Sequence, residues 1–198
     1  MKIMALSALL LGLFTLGACT LENQSVMISP QLTYKSEKIG HQQPIYLSVV
    51  DKRPSKLIGY RKDETKDQAD ITAANDVRTA VYNSIKQVFL EQGFVMASSP
   101  EASVAQFTLD IEDLTYKAGG AYVAPSLETR MLLKGTARRG TTTRSNNYEI
   151  NRSGREAKPL TAERNAKMIN DIVSQTLQMV AEDRAMMNFL ATAPGQGL

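Results

Sequence analysis

Gln106-Phe107-Thr108-Leu109-Asp110-Ile111-Glu112 alternates polar and apolar residues without a break. A period of two puts Phe107, Leu109 and Ile111 on one face of a strand and Thr108, Asp110 and Glu112 on the other. Such a strand belongs to a sheet covered on one side only. Leu114 and Tyr116 fall out of phase with the set, which predicts a bulge near Asp113. Gly119-Gly120 turns the chain, and Leu127, Thr129, Met131, Leu133, Gly135 and Ala137 resume the alternation. Arg138-Arg139-Gly140 reads as a tight hairpin turn with glycine at positive φ, and Thr141 to Arg152 as the returning strand.

Upstream of this meander, Ile45-Tyr46-Leu47-Ser48-Val49-Val50 is rich in β-branched and aromatic residues and reads as a buried strand ended by Asp51-Lys52-Arg53-Pro54. Leu57 to Arg61 is a second short strand, and Lys62 to Asp70 a charged loop. The segment from Thr72 to Gln92 is predicted to be a helix capped by Thr72 or Asn75. Val77, Val81, Ile85, Val88 and Phe89 fall on one of its faces, and Gly93 ends it as a left-handed cap. Phe94-Val95-Met96 is a short strand. Thr161 caps the last helix, whose stripe is Met168, Ile169, Ile172, Val173, Leu177 and Val180, extended by Met187, Phe189 and Leu190. Strand sets followed by helices predict an α+β domain, an antiparallel or mixed β-sheet with two main helices packed on one face.

The N-terminus carries a different kind of signal. Lys2 precedes an apolar run that reaches Leu16, and small residues then lead into Cys19, the only cysteine. This is the charged, apolar and small-residue layout of a secretory signal. The run is too short for a membrane span of about 20 apolar residues. Leu16-Gly17-Ala18-Cys19 resembles the lipobox of bacterial lipoproteins. The resemblance implies cleavage before Cys19, a diacylglycerol on its sulfur and a third acyl chain on its amine. Two or more chains make a stable anchor where one gives only marginal binding. Thr20 stands where an inner-membrane retention signal carries Asp, which by resemblance to sorted lipoproteins favours the outer membrane; which of its two faces is left open, with the periplasmic face the default expectation. The expected organisation is a signal peptide over residues 1–18, a lipidated N-terminus and flexible tether over 19–44, a single α+β domain over 45–191, and a frayed tail over 192–198.

With Cys19 committed to lipid, no intramolecular disulfide can form, and stability in an oxidising compartment rests on packing. The net charge is +3, one lower once Lys2 leaves with the signal. That near balance, together with the compartment, argues against nucleic acid as a partner.

Little in the chain points to catalysis. The sole histidine, His41, lies in the expected tether, so neither a Ser-His-Asp triad nor a Cys-His pair is available. No Cys, His and acidic cluster has zinc-site spacing, and there is no Gly-rich phosphate loop. No catalytic residue, metal or cofactor beyond the acyl groups is expected. Asp110 and Glu112 share a strand face and would suit glycan hydrolysis, but alternation alone puts polar residues there. Arg138, Arg139, Arg144, Arg152 and Arg155 cluster in sequence. They are candidate contacts for an acidic partner or anionic ligand through bidentate guanidinium bonds, against the plainer reading of an edge hairpin kept soluble by charge. Asp51 and Arg53 are a candidate structural pair that fixes the loop after its strand. Scattered tyrosines, among them Tyr116 and Tyr122, read as half-buried amphipathic residues.

The lipobox, Ile28-Ser29-Pro30, the strand ending in Asp51-Lys52-Arg53 with Gly59 downstream, the helix end Glu91-Gln92-Gly93-Phe94, the alternating strands and the long final helix together resemble the YajG-type lipoproteins of proteobacteria. The resemblance implies an envelope lipoprotein and supplies no catalytic residues. The expected function is that of a non-enzymatic, lipid-tethered interaction or structural module of the cell envelope, within or outside a multi-protein envelope or secretion assembly. Its expected partners are the outer membrane and other envelope proteins. The alternative is a binding protein for peptidoglycan or another anionic envelope ligand.

Overall fold

The computed structural model describes residues 21–62, 64, 67–120, 124–157 and 160–192. Its centre is a long antiparallel meander of β6 (Ala105–Gly119), β7 (Ser126–Arg139) and β8 (Thr142–Arg155). The β6–β7 register shifts between Ile111 and Asp113, at the bulge the phase change predicts. The bulge returns Leu114 and Tyr116 to the buried face that Phe107, Leu109 and Ile111 begin, so all five are buried. Gly140, at φ 53, turns β7 into β8.

β6 is the spine of the sheet. Beyond it, on the side away from β7, two strands lie end to end and parallel to it: β2 (Pro44–Asp51) along its first half and β3 (Leu57–Lys62) along its second. A further strand, β4 (Gln68–Ala73), runs antiparallel to β3, and β5 (Val95–Met96) pairs with the start of β2. β3 approaches β6 very closely at Gly59, where a Cβ would fall 1.6 Å from the Tyr116 carbonyl oxygen. The sheet is therefore mixed and the fold class α+β. The expected charged loop over Lys62 to Asp70 gives up its last residues to β4, whose Ala69 and Ile71 are buried.

Helix α1 (Val77–Glu91) begins later than the helix expected from Thr72. Its cap is Asp76, which accepts the Thr79 amide at 3.1 Å, because Thr72 and Ala73 are held in β4. Gly93 follows its end at φ 86, as expected. Thr161 caps α2 (Ala162–Glu182), and its hydroxyl accepts the Arg164 amide at 3.2 Å. The final apolar stripe is broken at Asp183, whose carboxylate caps a separate helix, α3 (Arg184–Ala191). All three helices lie on the apolar face of the sheet: α1 over β2, α2 over β7 and β8, and α3 against β6 and β7. Phe89 of α1 meets Phe107 of β6 edge-on, with ring centroids 5.3 Å apart.

The segment expected to be a tether is largely part of the domain. β1 (Gln24–Val26) pairs parallel with β4, and Val26 and Ile28 are buried. The Arg61 guanidinium donates to the Glu22 carbonyl at 2.9 Å, and the Asp70 amide donates to Asn23 Oδ1 at 2.8 Å. Residues 28–39 then cross the helices as a strap. The amides of Ser29 and Gln31 donate to Asn170 and Ser174, one turn apart on α2, and the Tyr34 hydroxyl donates to Glu91. Leu32 and Ile39 pack on the core. Sparse apolar residues suggest a loose segment, but side chains of the helices supply the partners its backbone needs. The expected lipid site Cys19 and the tail residues 193–198 lie outside the described residues.

One polar connection runs through the interior. Tyr116, fully buried, donates to Asn165 Oδ1 at 2.6 Å. The Asn165 side-chain amide, also fully buried, donates to Gln24 Oε1 at 3.1 Å. Sheet, helix and N-terminal strand are thereby joined. Tyr122 is outside the described residues.

Candidate functional site

The five arginines do not form one patch. β8 is regular, so its even-numbered residues share the helix side with buried Tyr148 and its odd-numbered residues face the open side. Arg144 and Arg152 stand on the helix side, where Arg152 donates to Gln175 of α2. Arg139 lies on that side too, and Arg138 on the open side, where it donates to the Gly140 carbonyl at 3.2 Å. Arg155 is on the open side at the opposite end of β8, separated from Arg144 by about 36 Å of strand. Proximity in sequence is undone by the period of two and the length of the strand.

Asp110 and Glu112 share a face, as alternation predicts, but they are not poised as an acid and a base. The Lys52 ammonium lies 2.8 Å from Asp110 and 3.2 Å from Glu112 and bridges them. The hydrogen bonds to Asp110 and Glu112 raise the Lys52 pKa. Further along the open face, Arg130 joins Glu149 of β8 at 2.8 Å and Asp113 of β6 at 3.0 Å, tying three strands together. Side chains here include Thr108, Thr136, Lys134, Asn147 and Asn151, and among the described residues no helix packs over them.

Asp51 and Arg53 sit at the end of β2 as a bidentate pair. Arg53 Nε donates to Asp51 Oδ1 at 2.9 Å and Nη2 to Oδ2 at 2.7 Å, and the Arg53 amide donates to Oδ1 at 3.1 Å. The Arg53 side chain is only 5% exposed, and its Nη1 is buried with no acceptor. The pair forms one wall of a notch of about 710 Å³. The notch exists because β2 has a partner on its outer side only at Pro44 and Ile45, while β3 and β4 fill that side further along. The N-terminus of α1 closes the gap, held by Asn75, which exchanges two hydrogen bonds with Ile28 at 2.8 and 2.9 Å. Lys56 and Arg78 complete the lining.

Sequence reading finds Asp51 and Arg53 through their spacing and misses Lys56, Asn75, Asp76 and Arg78. Its available signal is Arg78. A cation in the first turn of a helix opposes the macrodipole, here with the Asp76 cap 3.5 Å from it. Asp183 is missed as well. It accepts Tyr148 at 2.8 Å, Asn146 at 2.9 Å and the Met186 amide at 2.9 Å, and so joins β8 to the α2–α3 junction. Burial works to raise its pKa, but these hydrogen bonds outweigh burial and hold the carboxylate below its ordinary range. Among the described residues, no group of His, Cys, Asp and Glu has the arrangement of a metal site.

Fold and site together define a class: a small α+β domain, sheet on one side and helices on the other, with no converging catalytic groups among its described residues. The chain belongs to a family of lipoproteins of the YajG type, described as uncharacterized lipoproteins, whose family model matches residues 30–191. It is thus a membrane-anchored lipoprotein of the bacterial envelope, and no helix among its described residues is long and apolar enough to cross a membrane. No curated protein matches it in sequence. In structure it is similar to a Xanthomonas campestris protein of the DUF330 family, with a TM-score of 0.54 and 10% identity over 83% of this chain and 96% of that one. A Helicobacter pylori protein described as a neuraminyllactose-binding hemagglutinin homolog aligns with a TM-score of 0.44 and 7% identity over 80% of this chain and 95% of that one.

Proposed function

We propose that the protein is a non-enzymatic interaction module, held by acyl chains on Cys19 at the periplasmic face of the outer membrane, that docks onto other envelope proteins. The observation that carries this reading is the uncovered face of β6, β7 and β8. Around Arg130 and Lys52 its charges are held in ion pairs that join neighbouring strands, so this part of the face presents a polar surface with little side-chain freedom left to lose on binding. The same pairing supports a non-catalytic role, since the carboxylates that would serve as acid and base are bridged by Lys52.

The test is crosslinking of the lipidated protein in its native membrane, with mass spectrometry of what is recovered. A stoichiometric set of envelope proteins, with crosslinks on β6 to β8, is the expected result. Recovery of chaperones and sorting proteins alone would remove the docking role. The second reading, a binder of an anionic envelope ligand such as peptidoglycan, loses its arginine hairpin as a single patch. What favours it is the notch.

A further inference from the structure

We infer that the notch between the end of β2 and the start of α1 binds a phosphate group. Three independent features converge there. The first is the helix terminus itself. α1 has 15 residues, and the amides of Val77 and Arg78 at its start have no acceptor within the helix. They point out of the helix at the positive end of its dipole.

The second is Arg53. Two of its nitrogens are spent on Asp51, which fixes the guanidinium plane. Nη1 is left buried and without an acceptor on a side chain that lines the notch. A buried charged donor with nothing to bond to is costly, and an anion drawn in against the Arg53 side chain, past the atoms that now close Nη1 off from solvent, would supply an acceptor.

The third is the placement of two exposed cations around the same opening. Arg78, 57% exposed in its side chain, sits in the first turn, where it opposes the dipole. Its ion pair with the Asp76 cap, at 3.5 Å, uses a single nitrogen and leaves others to meet an anion that lies against the helix amides. Lys56 adds an ammonium from the loop after β2.

The two carboxylates in the lining do not compete for the site. Both Asp51 oxygens are bonded to Arg53. One oxygen of Asp76 caps Thr79, and the other faces Arg78 at 3.5 Å. Three cations against two engaged carboxylates leave one net positive charge, to which the helix terminus adds about half a charge. That matches a phosphate bearing one or two negative charges. A tetrahedral phosphate also offers oxygens toward the guanidinium groups, the ammonium and the helix amides at once, which the two coplanar oxygens of a carboxylate cannot do. The notch exceeds what a bare phosphate fills, so the group would be carried on a larger body, either a phospholipid headgroup or a soluble phosphoryl compound.

The experiment is amide NMR of the full lipidated protein in nonionic detergent, titrated with inorganic phosphate. Saturable shifts at Val77, Arg78 and Arg53 are expected. R78Q and K56Q should each weaken binding about tenfold, the loss of one charge-assisted bond. Neither side chain ties another element in place, so both variants fold, and K167Q on α2 should bind as the parent does. The protein is then placed in nanodiscs of phosphatidylglycerol or of phosphatidylcholine. Shifts at the same amides with phosphatidylglycerol alone identify the headgroup as the source. Shifts with inorganic phosphate in either nanodisc, and none from the lipid, identify a soluble phosphoryl compound. Shifts that never saturate, that spread over the whole surface, or that survive both R78Q and K56Q overturn the proposal.

Discussion

Y116F removes one hydroxyl from the centre of the protein, and its cost follows from what surrounds it. Tyr116 and Asn165 are both fully buried, and the bond between them is 2.6 Å long. No water can replace the donor, so Asn165 Oδ1 is left unpaired. The expected loss is about 1–2 kcal/mol. N165A strands the Tyr116 hydroxyl, takes the donor from Gln24 Oε1 and opens a small cavity, for about 2–4 kcal/mol. The two share a bond, so the double variant should cost about 1–2 kcal/mol less than the singles added together. Urea unfolding followed by circular dichroism reads these values. With a slope of about 2 kcal/mol/M, Y116F lowers the midpoint by about 0.5–1 M. An unmoved midpoint, or strict additivity, would show that the bond carries no coupling and refute the account of how sheet, helix and N-terminal strand are joined.

Three further outcomes are expected. G59A drives a methyl group into the Tyr116 carbonyl, so β3 must leave β6; a loss of about 3 kcal/mol or more should appear in the same urea assay. D183A removes the α3 cap and the acceptor of Tyr148. The site is partly exposed and so screened, and the melting temperature should fall by an amount equal to about 1–2 kcal/mol, most of it restored in D183N, which keeps the cap. Burial raises the Tyr116 and Tyr148 hydroxyls above the ordinary phenol value, with Asp183 adding to the effect at Tyr148. The folded state then keeps protons that the unfolded chain releases above about pH 10. Stability is therefore full below that pH and falls as pH rises beyond it, and Y148F should flatten the fall in thermal melts taken along an alkaline series.

How far the sequence carries the structure depends on the range of the forces involved. The bulge at Asp113, the turn at Gly140 and the cap at Thr161 are local, and alternation or a single residue type announces each of them. β4 is hidden because only Ala69 and Ile71 are buried in it, too few to show a period against polar neighbours. Its presence moves the start of α1 from Thr72 to Val77. β1 is hidden for the same reason, and the strap after it is held by Asn75, Asn170 and Ser174, which lie far away in sequence. The site divides likewise. Asp51 and Arg53 are two residues apart and legible; Lys56 lies only three residues further on but carries no pattern that marks it, and Arg78 meets them only because α1 packs over β2. The arginines of the hairpin err in the opposite direction, adjacent in sequence and on opposite faces in space.

Pairing β1 with β4 also resets the mechanics of attachment. Were residues 19–44 free, they would let the domain roam up to about 85 Å from its lipid. With Glu22 held by Arg61 and Gln24 already in the sheet, the proposed acylation at Cys19 would leave at most about 10 Å of extended chain between the lipid and the domain. A shorter leash confines the domain to a smaller volume, which raises its local concentration at the membrane surface by more than about tenfold. On the proposed attachment, a partner resident in that membrane would be met far more often than one of equal affinity deeper in the compartment, and the β1–β4 pairing would act as a filter on which partners the protein can find.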